Sequence, residues 1–506
     1  MTPIAVYEDG TGRDGLIMTN HIKGTAAGNS VAAKQDNAGM VDHALMLNSA
    51  AAGEVDDLLC VGFGPASLAI AVALHDLLQE QGGVGSTVNT PRVRFLERQP
   101  TFRWHAGMLL PGAKMQISFI KDLATLREPR SHFTFLNYLK HHDRLVQFTN
   151  LGTFLPARVE FDDYLQWAAS HFDDVVEYGQ QVESIRPRRL ADGGKYDCLE
   201  VVSRDLRTGS SVTFLSRNVV IAAGGRSKRP PQFPEYHDRI LHSSEYNTRI
   251  EQALPEKDKA YNIAVIGGGQ SAAEVFNDLH GRYPNATTRL ILRDTALRPS
   301  DDSPFVNEVF DPEAVDTFYD QPKGFRGDTL KRNKATNYSV VRLELIEKIY
   351  ELLYLQSIKQ PDKSRWQHQI LPSTEVTEVV DYKSTGGLLL TLTNLNPLDN
   401  KATEKMPVDA IILATGYRRD AHVDMLKDCQ PINANHVGQW QAGRDYGVKL
   451  DPQHVEEGVG IWLQGCNEET HGLSDSLLSI LSTRSGELVD SIFGKDLEIN
   501  GHDSQL

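Results

Sequence analysis
From Asp57 the pattern of the chain changes. Leu58-Leu59-Cys60-Val61 stops at a glycine, and apolar positions at Leu68, Val72 and Leu77 then follow at helical spacing. Val93-Arg94-Phe95-Leu96-Glu97 reads as the next strand. Helical stretches are expected near 132–140 and 160–172, and strand-like segments near 196–203, 211–215 and 217–222. A second strand–glycine–helix unit opens at Asn262-Ile263-Ala264-Val265-Ile266, with its next strand at Leu290-Ile291-Leu292. Further strand texture lies at 387–393, 408–414 and 459–463. Unbroken apolar strands alternating with helices are the pattern of parallel sheets covered on both faces. The glycine units stand about 200 residues apart, too far to share one sheet. The expected fold class is therefore α/β, with two doubly wound, Rossmann-like dinucleotide-binding domains, the second inserted into the first, and a substrate-binding region. Residues 1–53, rich in Ala, Gly, Asn and Asp, are expected to form a disordered tail. The first domain is expected over 54–250 and 405–490. The second spans 251–404 with substrate-site elements near 300–345, and a C-terminal tail covers 491–506.

Charge and cysteine content narrow the partners. The 67 acidic residues exceed the 52 basic ones, for a net charge of −15, which argues against nucleic acid. Cys60, Cys198, Cys429 and Cys466 are scattered, so neither a CxxC redox pair nor a metal-ligating spacing is visible and no metal is expected. No apolar run reaches 18 residues and no signal-type leader opens the chain, which implies no membrane span and a cytoplasmic protein. The terminal Ser504-Gln505-Leu506 offers a peroxisomal alternative, although the usual central basic residue is missing. Asn285-Ala286-Thr287 and Asn337-Tyr338-Ser339 match the glycosylation sequon, which has no bearing on a chain without a secretory leader.

Gly62-Phe63-Gly64-Pro65-Ala66-Ser67 has the dinucleotide-binding form. Gly62 permits the tight turn, Gly64 lets backbone approach a pyrophosphate, and small Ser67 allows close helix–strand packing. The helix N-terminus supplies unpaired N–H groups and positive dipole to the phosphates. Glu97, at the end of the next strand, suits the adenosine ribose. It lies 30 residues past Ser67 because the polar loop Gln81–Thr90 intervenes. In the second unit Gly267, Gly269 and Ala272 fill the small positions of Gly267-Gly268-Gly269-Gln270-Ser271-Ala272. Arg293, not an acid, ends the following strand. A guanidinium there favours the 2′-phosphate of NADPH over NADH, although an arginine at a strand end also serves simply to solvate it. Two further apolar strands stop abruptly at small residues, Ala222-Ala223-Gly224-Gly225 and Ala414-Thr415-Gly416-Tyr417. Such ends admit a close approach of backbone or cofactor, and each alone is equally a plain turn. Two nucleotide sites in one chain point to hydride transfer from NADPH to FAD. Without a cysteine pair near either unit, a disulfide reductase is disfavoured, leaving oxygen or an acceptor protein to receive the electrons.

The least generic stretch runs from Phe102-Arg103-Trp104-His105 to Met115-Gln116-Ile117-Ser118-Phe119-Ile120-Lys121-Asp122-Leu123. Together with the glycine units, Ala414-Thr415-Gly416-Tyr417 and His471-Gly472-Leu473-Ser474-Asp475-Ser476-Leu477-Leu478-Ser479, it resembles the N-hydroxylating flavoprotein monooxygenases of siderophore biosynthesis, over about residues 55–485. Within that family the resemblance is to enzymes acting on the side-chain δ-amine of L-ornithine. It implies that Glu97, Arg98, Gln99, Pro100, Thr101, Phe102, Arg103, Trp104 and His105 wrap the FAD. Gln116, Val182, Ser476, Leu477 and Leu478 add further flavin contacts. NADP contacts are implied for Gly268, Gly269, Gln270, Ser271, Arg293, Asn337, Tyr338 and Ser339. Substrate contacts are implied for Lys121, which would pair with the amino-acid carboxylate, and for Asn307, Glu308, Val309, Phe310, Asn337 and Ser479. A homotetramer is implied as well.

The implied reaction uses NADPH and O2 to hydroxylate ornithine through a C4a-hydroperoxyflavin, giving N-hydroxyornithine for hydroxamate siderophores. The amine must be neutral to react, whereas an aliphatic ammonium is far below about 1% neutral at pH 7, so the site has to desolvate or deprotonate it. No acid–base residue is assigned, and His105 and His242 read as structural. Related flavin monooxygenases carry a glycine two residues after a phenylalanine, where Phe233-Pro234-Glu235 has none. This weakens a sulfur- or ketone-oxidising alternative. The other alternative is an NADP-binding redox sensor without turnover, which the first glycine unit with Glu97 disfavours, since a sensor needs one dinucleotide and not two.

Overall fold
The computed structural model describes residues 47–81, 90–190, 194–382, 386–396, 403–435 and 439–497. Two sheets organise it. In the first, Val55–Val61 lies between Val93–Glu97 and Ser211–Ile221, all parallel. Val176–Tyr178 extends one side and Gly460–Leu463 joins Ser211–Ile221, again parallel. An antiparallel meander, Gln180–Arg188 and Cys198–Asp205, completes this sheet against Ser211–Ile221. The second sheet is wholly parallel, in the order His368–Leu371, Thr287–Ile291, Asn262–Ile266, Ala410–Leu413, Ile240–His242. A three-stranded antiparallel sheet, Thr374–Tyr382, Gly387–Asn394 and Thr403–Val408, leads from one strand of the second sheet to another.

The central strands are apolar over Leu58–Val61 and Ile263–Ile266, where both faces are covered. In Val55–Val61, Leu58 and Cys60 enter one core while Leu59 and Val61 enter another. In Asn262–Ile266, Ile263 and Val265 face one cluster while Ala264 and Ile266 face the other. The helix Pro65–Gln81 has no polar stripe and is buried almost all round, with helix Leu481–Leu497 packed against it.

The observed boundaries differ from the expected ones. Leu47 and Ala50 are buried, Asn48 bridges to Arg92, and Ala50 N–H donates to Asp56 at 2.8 Å, so residues 47–53 belong to the packed unit. The rest of the expected N-terminal tail, and the loop residues 82–89, lie outside the described residues. The expected C-terminal tail begins inside helix Leu481–Leu497, where Phe493 is a core residue; residues 498–506, with the Ser-Gln-Leu end, lie outside the described residues. Ile240–His242 and Ala410–Leu413, assigned above to the first domain, are strands of the second sheet. Their three and four residues are too short to reveal membership without their pairing. Among the described residues, no helix is long and apolar enough to cross a membrane, and no cluster of three metal-ligating side chains occurs.

At the far end of the helix that follows the second glycine turn lies a pair of histidines. His280, on helix Gln270–Arg282, stands with its ring 3.8 Å from that of His368, and both its ring nitrogens are buried without a hydrogen-bond partner. His368 Nδ1 meets Thr288 Oγ1 at 2.8 Å. Burial, then the neighbouring His368, lowers the His280 pKa to about 3; burial, then Arg289, lowers that of His368 to about 4. Both are neutral in the fold, so the unfolded chain takes up protons first as pH falls. Their contribution to stability is therefore complete above about pH 6.5 and is lost toward pH 4. Urea unfolding at pH 7.5 and 5.5 should show a loss of about 1 kcal/mol per histidine. His280→Leu should reduce that pH dependence; an unchanged slope would show that the pair does not titrate on unfolding.

Candidate active site
Both glycine turns are built on one plan. Gly62 has φ 91°, and a Cβ there would stand 2.7 Å from the Ala222 carbonyl oxygen. Gly62 N–H donates to Leu96 O at 2.8 Å and Ala222 N–H to Val61 O at 2.9 Å. Gly267 has φ 145°, and a Cβ there would overlap the Ala414 carbonyl. Gly267 N–H donates to Ile291 O at 3.0 Å and Ala414 N–H to Ile266 O at 2.8 Å. The two strand ends marked by small residues in the sequence are thus the surfaces on which the glycine turns rest.

The outer side of the first turn is open. A Cβ on Gly64 would meet no protein atom within 4 Å, so the residue leaves room at the N-terminus of a 17-residue helix for a phosphate-bearing group. Glu97 braces the turn from below, accepting from Phe63 N–H at 2.7 Å and Gln99 N–H at 2.8 Å. These two bonds leave acceptor capacity for a ribose hydroxyl. Phe102 points inward onto Phe63, whereas Arg98, Pro100, Thr101, Arg103 and His105 are open to solvent. His105 holds a left-handed φ of 46° between the rings of Trp104 and Tyr417. Gln116 is exposed, and Val182 is buried in the cluster that holds Leu96. Ser67 is fully buried at the helix start with no hydrogen-bond partner for its hydroxyl. These features fit a dinucleotide such as FAD.

At the second turn, Ser339, with φ 60°, lies under Gly269, its Cα 3.4 Å from where a Cβ would stand. The sequence pairs these residues only through the resemblance; the structure puts them in contact. Arg293 is 78% exposed and only loosely near Glu375, at 3.9 Å. The Gln270 side chain faces its own fold instead, accepting from Arg342 N–H at 2.9 Å and donating to Glu274 at 2.8 Å. The His242 ring is held by Ser244 Oγ and Gly416 O, and burial lowers its pKa.

The residues implied for the substrate come from distant parts of the chain. Lys121 Nζ lies 3.5 Å from Asp311 Oδ1 in a depression that also includes Leu126, Pro312, Thr483 and Glu487. Ser479 Oγ reaches Phe310 O at 3.5 Å, which ties the segment of Asn307, Glu308, Val309 and Phe310 to the turns around Ser476, Leu477 and Leu478. Asn307 donates to Asp302 O at 3.0 Å. Asn337 ends helix Lys323–Asn337, and the next residue, Tyr338, donates its hydroxyl to Glu468. Partial burial and then that carboxylate push the Tyr338 phenol up to about 12, so it remains a donor.

Three features escape sequence reasoning. Asp122 accepts from the N–H groups of Ala124, Thr125 and Phe135 and from Thr125 Oγ1, at 2.6–3.0 Å, fixing the loop that carries Lys121. Its spacing to Thr125 is the available local signal. Arg158 grips Glu274 with two bonds of 2.8 Å and donates to Met108 O, joining the first glycine unit's surroundings to the second turn's helix. Asp311 is the third. Neither it nor Arg158 carries a local signal, since their partners are distant in sequence.

A model of the family described as L-lysine 6-monooxygenase/L-ornithine 5-monooxygenase matches residues 54–419. L-ornithine N(5)-monooxygenase of Emericella nidulans is 53% identical over 452 residues, 88% of this chain and 91% of that protein. Among solved structures, ornithine hydroxylase PvdA from Pseudomonas aeruginosa superposes with a TM-score of 0.78 at 38% identity, covering 87% of this chain and 99% of that one. The Kutzneria sp. 744 ornithine N-hydroxylase KtzI, described with reduced FAD, NADP+ and L-ornithine, gives 0.76 at 34% identity, covering 88% and 100%.

The turn geometry separates folding from binding. Gly62→Ala should cost at least about 2 kcal/mol, because it combines positive φ with a backbone clash. Gly64→Ala should stay within about 0.5 kcal/mol of the parent yet hold FAD at least tenfold more weakly, as read by denaturant melts and flavin titration. Equal loss of stability in both variants would contradict this division.

Proposed function
Because this chain belongs to the L-lysine 6-monooxygenase/L-ornithine 5-monooxygenase family, a family of flavin-dependent N-hydroxylating enzymes, we propose that it hydroxylates the δ-nitrogen of L-ornithine using FAD, NADPH and O2. The product would be N-hydroxyornithine for hydroxamate siderophores. The observation that carries this reading is that Lys121 pairs with Asp311 in one depression, while the adjoining 307–310 segment is met by Ser479 at Phe310 O. Cytoplasmic action and homotetrameric assembly belong to the same proposal; the mass in solution tests the latter.

FAD would lie over Gly62, Gly64 and Glu97, with Arg98 to His105, Gln116 and Ser476 to Leu478 about it. NADPH would lie over Gly268, Gly269 and Ser271, with the exposed Arg293 at its 2′-phosphate. When bound, the pair of cofactors would supply the electrons that activate O2. The protein's part is to bind, orient and exclude water. Lys121 fixes the carboxylate of the amino acid with a charge-assisted bond, and the Asp122 knot holds Lys121 in place. With one end fixed, chain length decides whether nitrogen meets oxygen, and a misplacement near 1 Å can cost about 100-fold. Desolvation of the amine end lowers its pKa toward the reactive neutral form.

Purified protein supplied with FAD should couple NADPH oxidation to hydroxylamine formation with ornithine. Lysine should give mostly peroxide, and peroxide alone with every amine would overturn the proposal. Lys121→Ala should raise the KM for ornithine about 10- to 100-fold. Arg293→Ala should raise the KM for NADPH about tenfold while changing that for NADH much less, as loss of one charge-assisted phosphate contact requires.

A further inference from the structure
Lys121 and Asp311 come from stretches almost 200 residues apart, yet their charged ends face one depression. The side chains are 27% and 44% exposed, so neither is sealed by the other. Asp311 follows the turn Glu308–Phe310, with its backbone N–H held by Glu308 O at 3.1 Å; its carboxylate is not needed to cap that turn. Two other carboxylates of the depression are already committed: Arg444 binds Asp316 at 2.5 Å and Glu487 at 2.8 and 3.0 Å. Glu313 also lines the depression but makes no ion pair with Lys121 in this structure. A lone ion pair this exposed contributes little to stability. It is, however, complementary to the head group of an α-amino acid, whose carboxylate and ammonium are carried by one carbon.

We propose that Asp311 receives the α-ammonium of the substrate while Lys121 receives its carboxylate. The proposal rests on the function given above and extends it to a second residue. On binding, the direct Lys121–Asp311 contact is replaced by two opposite-charge contacts, so each end of the pair stays neutralised. The pair then selects for an α-amino acid: 5-aminopentanoate, which has the chain, terminal amine and carboxylate of ornithine but no α-ammonium, satisfies Lys121 and leaves Asp311 unmatched.

The test compares ornithine with 5-aminopentanoate in the FAD-loaded enzyme and in Asp311→Asn and Asp311→Glu. Asp311→Asn should cut the ratio of kcat/KM for ornithine over that for 5-aminopentanoate at least tenfold, through the KM for ornithine, and Asp311→Glu should restore part of it. A ratio within twofold of the parent's, or a lower KM for ornithine, would overturn the proposal, the latter showing that Asp311 merely competes for Lys121. Calorimetric titration of both compounds into the wild-type FAD–NADP+ complex keeps the test open if a variant fails to fold; affinities within threefold would also overturn it. Wild-type enzyme that makes no hydroxylamine from ornithine would instead sink the underlying function, whereas ornithine turnover with an unmoved ratio sinks the role of Asp311 alone.

Discussion
Each half of the molecule turns on one close approach, a glycine seated against the carbonyl that ends the neighbouring parallel strand. Gly62 meets Ala222 and Gly267 meets Ala414, in the same frame of two backbone hydrogen bonds. A side chain at either glycine would push the turn off its strand and move the N-terminus of the following helix with it. The small residues after both strand ends, the positive φ angles and the placement of two helix N-termini all follow from this packing. What differs is the rest of the turn. Glu97 braces the first, whereas the second is backed by Ser339 and borders an exposed guanidinium.

This is why the nucleotide units were legible in the sequence and much else was not. A turn that needs glycine, followed by an apolar helix, leaves a local signature. The abrupt ends at Ala222 and Ala414 were visible too, but not the glycines they serve, because the contacts cross 160 and 147 residues. Ser211–Ile221 read as two strands because Ser216-Arg217-Asn218 interrupts its apolar pattern. The structure makes it one, since Ser216 Oγ donates to Asp56 O and Asn218 to Asp57 O, so the polar residues bind the adjacent strand. The domain boundaries at 250 and 405 missed the second sheet's short strands for a related reason: membership there is decided by pairing, not by composition.

The two glycine units are joined by charge as well as by chain. Arg158 and Glu274 are 12% and 8% exposed and bound through two parallel contacts. Removing one partner from such a pair leaves a buried charge uncompensated, which costs more than the intact pair contributes. Arg158 also holds Met108 O, close behind the stretch ending at His105. The second turn's helix is thereby keyed to the segment implied to wrap the flavin, which restricts how far the two nucleotide sites can drift apart.

The substrate side is held differently. Residues 303–339 reach the 444–487 region through Tyr338 and Lys334 to Glu468, Asp316 to Arg444, and Phe310 O to Ser479, mostly at half-exposed positions. Their apolar anchorage is a small cluster of Phe318, Leu330 and Leu473. Exposed ion pairs contribute at most about 1 kcal/mol each, so this segment is cheap to displace compared with the strands that carry the glycine turns. Under the proposed function, a site that must admit a charged amino acid and then exclude water needs one wall of this kind beside a rigid one. Lys121 stands on the rigid wall, fixed by Asp122, and Asp311 on the yielding one. Lys121 and Asp311 lie far apart in the sequence and share no local pattern, which is why their pairing became visible only in the fold.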